Sequence, residues 1–118
     1  MADHTLDLKY LRTISDDDVD FMKDLLMTFV KTTPEALEEL KETLKNEDWY
    51  KMGRVMHKVK PSYLLLDVKE VSELVLSLEQ NAKHAKNLDK IPGQVSQLLE
   101  SSEDLLVKVS DILEKDDL

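Results

Sequence analysis

Residues that interrupt regular structure are almost missing from this chain: Gly53, Gly93, Pro34, Pro61 and Pro92 are the only glycines and prolines among 118 residues. Between them Leu, Val, Ile and Met recur every three or four positions, on a background rich in Glu and Lys. That spacing puts apolar groups on one face of a helix, and Leu, Glu, Lys and Met are good helix formers. The fold class that follows is all-α. An apolar content of 42% supplies a core for one compact domain over residues 1–118, and the length leaves no room for two.

Four longer helices and a short leader account for nearly everything. The leader, Leu6 to Ile14, has Leu8, Leu11 and Ile14 at helical spacing. Capping side chains from Ser15 to Asp18 precede a stripe of Phe21, Met22, Leu25, Leu26, Phe29 and Val30. Thr33-Pro34-Glu35 has the form of a helix start, with a capping hydroxyl, proline in the first turn and then an acid, so a boundary is expected there, with Leu37, Leu40 and Leu44 buried beyond it. Asp48 caps the next helix, which carries Met52, Val55, Met56, Val59, Tyr63 and Leu66 on one side. Asp67 with Glu70 has the form of a capping box opening a helix with Val68, Val71, Leu74, Val75, Leu78, Ala82 and Ala85 inward. Pro92 starts the last helix, with Val95, Leu98, Leu99, Leu105, Leu106, Val109, Ile112 and Leu113 recurring along it. Short connections between long amphipathic helices predict an antiparallel up-and-down four-helix bundle with a short N-terminal leader helix.

Charge and composition exclude several classes. A net charge of −9 repels a phosphate backbone, which argues against nucleic acid as a partner. The lack of cysteine removes disulfides, thiolate metal sites and cysteine nucleophiles. No apolar run approaches a membrane span, and the acidic start lacks the layout of a signal peptide, so a cytoplasmic protein is expected. A metal-binding bundle would need inward Glu and His at helical spacing, whereas these core stripes are apolar; no metal site is expected.

Of the three histidines, His4 lies at the terminus and His84 in a charged stretch. His57 differs because of its helix. At roughly 100° per residue, the apolar residues from Met52 to Leu66 fall in a sector of about 80°, and His57 points roughly 150° from its centre. It therefore faces out. Its neighbours one turn away are Gly53, Lys60 and Pro61. Gly53 costs helix stability and leaves open space beside the ring, unless it serves close helix contact instead. Imidazole is the side chain that titrates around neutrality, so a ring nitrogen is available as a nucleophile, and the Lys60 ammonium can approach a negative group placed on it. A carboxylate from the following helix could fix the tautomer. An exposed histidine is most often an ordinary surface residue, and geometry alone makes this one a candidate and no more.

The stretch Asp48-Trp49 through Met56-His57-Lys58-Val59-Lys60-Pro61-Ser62 resembles the signature of histidine-containing phosphotransfer (HPt) domains of multistep phosphorelays. Leu6-Asp7-Leu8-Lys9-Tyr10-Leu11, Phe21 to Phe29 and Thr33-Pro34-Glu35 are similar to the family's opening segments, so the likeness runs over essentially the whole chain. The resemblance implies that His57 is the phosphoacceptor, Lys60 its charge-stabilising neighbour and Gly53 a position that is normally small. Glu79 falls where the family often has a polar residue bonded to the imidazole, with Gln80 the alternative if the register shifts by one. The family's usual glycine after the lysine is Pro61 here, and Tyr63 stands where a small residue is common. Proline at 61 removes a hydrogen bond to the carbonyl of His57 and costs roughly 3 kcal/mol in a helix interior, so a kink at His57 is conceivable.

The implied function is a phosphorelay phosphocarrier, not an independent enzyme, exchanging a phosphoryl group with an aspartate on a response-regulator receiver domain or a hybrid sensor histidine kinase. The receiver would supply Mg²⁺; this chain needs no cofactor and has no glycine-rich ATP loop. Docking would use the surface around His57, with Gly53, Pro61 and Leu64, the last either an interface residue or packed on the leader. A monomer is expected. The alternative is a non-catalytic helical interaction module that binds a receiver or helix without being phosphorylated.

Overall fold

The computed structural model describes residues 6–116 and 118; His4 lies outside them. The chain forms helices α1 (Lys9–Ile14), α2 (Val19–Lys45), α3 (Trp49–Leu66), α4 (Lys69–Lys83) and α5 (Ile91–Glu114), with a 3-10 turn at Leu88–Lys90, and no strand among the described residues. Four of these are long, and α1 is the leader. Helix α2 packs on α3 and α5, α4 packs on the same two, and α1 lies against α3.

The helix starts are written in side chains. Asp18 accepts the Phe21 N–H at 3.2 Å and Asp48 accepts the Lys51 N–H at 3.1 Å, satisfying donors that the first turn leaves free. The connections are tight and use no glycine: Asp16, Asp17, Glu47, Asp67, Ala85 and Asn87 take positive φ values instead. Asp and Asn tolerate that region better than most residues because their short polar side chains bond locally.

Two boundaries depart from the sequence expectation. No helix begins at Thr33-Pro34-Glu35; α2 runs through Pro34 without a break. The buried stripe Met22, Leu26, Phe29, Thr33, Leu37 and Leu40 keeps helical spacing across the proline, and burial along the whole length outweighs the one lost bond. Thr33 is therefore buried in the bundle and caps nothing. Nor does Asp67 with Glu70 form a capping box. Asp67 closes α3 in the left-handed conformation, with φ 52°, so the cap of α4 shifts to Val68, which has no side-chain acceptor.

The core gathers the expected faces, with trimming at the edges. All six predicted apolar residues of α3 are buried. Phe21 and Ile14 are exposed, and Ala85 lies beyond the end of α4 and is exposed. Tyr63 reaches the centre, where its ring meets Phe29 edge-on at 5.5 Å and its hydroxyl pairs with Ser102 of α5. This residue thus ties α3 to both α2 and α5, and burial raises its phenol above the ordinary value, an effect the Ser102 hydrogen bond partly offsets. Asn81, also buried, joins Gln94 and Asn87 and so pins the end of α4 to the start of α5.

No helix among the described residues is long and apolar enough to cross a membrane.

Candidate functional site

Helix α3 presents His57 outward, with its side chain 75% exposed, because the core claims the opposite face. Pro61 is exposed one turn later, and α3 stays helical through it to Leu66. Leu64, a further turn along, is half-buried.

Helix α4 brings Glu79 to the same place. Its carboxylate is only 5% exposed, and one oxygen lies 2.8 Å from His57 Nδ1 while the other accepts from Lys60 Nζ at 2.9 Å. Burial by itself pushes this carboxyl up, but hydrogen bonds from Lys60 and His57 outweigh it and hold the group below its usual range. An ionised carboxylate can only accept, so Nδ1 carries the proton and the neutral ring keeps its free lone pair on Nε2. The arrangement is directional: one nitrogen is engaged by a buried carboxylate, and the other belongs to a ring that is mostly exposed. Gln80, the alternative register, is exposed.

Of the two readings of Gly53, open space beside the ring or close helix contact, the second describes its surroundings. It is buried, and a Cβ there would lie 3.3 Å from the backbone N and Cα of Lys83. The absence of a side chain lets α3 and α4 approach closely one turn before His57 on α3. Lys60 differs from expectation in its contact: its ammonium is occupied by Glu79, with the side chain 26% exposed.

An open cleft beside His57 adds residues that were not singled out from the sequence: Tyr50, Lys51, Arg54, Lys58 and Lys83. The signal was present, since α3 carries four cations and no carboxylate, but it was masked by the acidic balance of the whole chain.

The family model of the Hpt domain matches residues 24–106, which include His57, Lys60 and Glu79. The chain belongs to the Hpt domain family. No curated protein and no solved structure matches it. Hpt domains are phosphocarriers of two-component systems rather than conventional enzymes, and they work with receiver and kinase partners. In this Hpt domain the match runs from inside α2 to inside α5 and so takes in all four long helices in part or whole.

Proposed function

We propose that His57 is the phosphoacceptor of this Hpt domain and that its partner is a receiver-domain aspartate. The observation that carries this is the Glu79 contact to Nδ1, which leaves Nε2 free on an exposed ring. Nε2 attacks the phosphorus of an aspartyl phosphate; the P–N bond forms as the P–O bond breaks, and the aspartate leaves as carboxylate. The reverse step returns the group. The buried Glu79 carboxylate offsets the positive charge that develops on the ring as the bond forms. Lys60 has a flexible stem and turns from Glu79 toward the phosphoryl oxygens once they arrive, offsetting part of their roughly two negative charges.

Mg²⁺ and the remaining catalytic groups belong to the receiver, in keeping with a site here that offers a nucleophile and a docking face. One contiguous core and short turns between neighbouring helices support a single up-and-down bundle acting as a unit. Exchange with receivers and kinases fits a cytoplasmic location. The unbroken path of α3 through Pro61 favours the carrier over a binding module that has lost phosphorylation.

The test is transfer from a labelled, phosphorylated receiver to this chain and to His57→Gln. Acid-labile, alkali-stable label that is lost in the variant supports the assignment. Binding without label on the native chain sinks it in favour of the interaction module.

A further inference from the structure

Helix α3 carries Lys51, Arg54, Lys58 and Lys60 and no Asp or Glu, in a chain whose net charge is −9. Glu79 occupies Lys60. The other three are exposed and stand three and four residues apart, so they form one ridge along the helix surface. The cleft beside His57 is lined by this ridge together with Lys83 from α4. Among the described residues none of these four cations has a carboxylate within ion-pair distance. Asp48 and Glu39 also line the cleft, but Asp48 is engaged in capping α3. Tyr50, 74% exposed, adds an aromatic face against which the Arg54 guanidinium lies, 5.9 Å from the ring centroid.

We propose that this ridge is the electrostatic docking surface for an acidic protein face, and that the partner is a receiver domain whose phosphorylatable aspartate is ringed by other carboxylates. The proposal rests on the phosphocarrier reading of His57 and adds which surface recruits the partner and what charge that partner carries. The physical reason is the contrast between ridge and remainder. At physiological ionic strength charges act over about 8 Å, so an approaching protein feels the face it meets and not the whole molecule. Helices α2, α4 and α5 each carry more carboxylates than cations and repel an acidic partner, whereas α3 attracts it. Attraction and orientation are then the same event, because the face that attracts is the face that carries His57. Such steering raises association rates by roughly 10–10³-fold and falls steeply with salt. It also selects: a receiver with a basic rim meets repulsion at the one place where transfer can occur.

The experiment measures the second-order rate of phosphoryl transfer to the intact protein across a salt series. Two donors are used, one receiver with a carboxylate-ringed aspartate and one with a basic rim. For the acidic donor the rate falls about tenfold or more from low to high salt. Reversing the ridge (Lys51→Glu, Arg54→Glu and Lys58→Glu together) lowers the low-salt rate about tenfold and flattens the salt dependence, and the basic-rim donor gains. If the charge-reversed chain loses helicity, the matching glutamine variant and the native salt series decide instead. Native rates that are independent of salt and equal for the two donors overturn the ridge. Failure of the native chain to take label from either receiver, or from phosphoramidate, overturns the phosphocarrier reading instead, so the two failures are distinct.

Discussion

His57 and Glu79 stand 22 residues apart in the chain and meet at 2.8 Å, imidazole Nδ1 to carboxylate oxygen, one side chain mostly in solvent and the other nearly sealed from it. The pairing sets the tautomer of the ring and thereby decides which nitrogen keeps its lone pair. It also makes the exposed residue depend on a buried one.

Replacing His57 by glutamine removes the proposed nucleophile and little else. The position is exposed and glutamine is a good helix former, so helicity and Tm stay close to those of the native chain while phosphorylation is lost. Circular dichroism with a label-transfer assay checks both halves. A large fall in helicity would contradict the outward placement of the ring.

Glu79→Gln keeps the shape of the side chain but not its charge. Transfer slows about 10–100-fold, the range for groups that act by holding a reactive one, and the pH profile of the rate shifts, which a purely structural role would leave in place. Glu79→Ala goes further and leaves Lys60 without its partner, at a cost of about 1–3 kcal/mol in chemical denaturation. Lys60→Ala slows transfer without abolishing it; an unchanged rate would remove Lys60 from the proposal.

Stability varies with pH through the same carboxylate. Glu79 is held below its ordinary value of 4.5, so the folded state binds its proton less readily than the unfolded chain does. Its contribution is complete above that ordinary value and is lost as pH falls through the lower folded value. The difference in Tm between native protein and Glu79→Gln therefore shrinks as the solution is acidified from about pH 4.5 downward. A difference that grows on acidification would reverse the sign of the shift.

Tyr63→Phe strands the Ser102 hydroxyl in the core, as Ser102→Ala strands the phenol. Each single change costs about 1–2 kcal/mol, and the double change costs less than the sum, because removing both partners leaves no orphan. Urea denaturation of the four chains measures the coupling. Additive losses would mean the bond contributes little.

Gly53→Leu drives a side chain into the backbone of Lys83 and spreads α3 from α4. Overpacking of this kind costs about 1–3 kcal/mol. It also lengthens the His57 to Glu79 contact, so transfer falls further than stability alone accounts for. An NMR shift of the His57 ring protons reports the separation directly.

Much of this was legible from local pattern. The scarcity of glycine and proline with apolar spacing of three and four fixes helices, because only a helix places those residues on one face. The same rotation turns His57 away from Met52, Val55, Met56, Val59, Tyr63 and Leu66, and all six are buried while it is exposed. The Hpt family, too, was recognisable from the residues around His57, and the family model agrees.

Other features were decided only by how the helices meet. Pro34 reads locally as a start, yet the buried stripe on either side of it holds one helix together. Asp67 reads as a cap for α4, yet the turn uses it to end α3. Gly53 reads as space beside a ring or as a helix contact, and the backbone of Lys83 on α4 decides for the contact. The arrival of Lys83 from α4 beside the cations of α3 belongs to the same group. Local pattern carries information over a turn or so of helix, whereas these outcomes depend on which residue of a distant helix arrives opposite. A shift of one position turns a side chain by about 100°. The sequence by itself settled that His57 faces out; only the packing of α4 on α3 settled that Glu79, and not Gln80, is the residue that holds it.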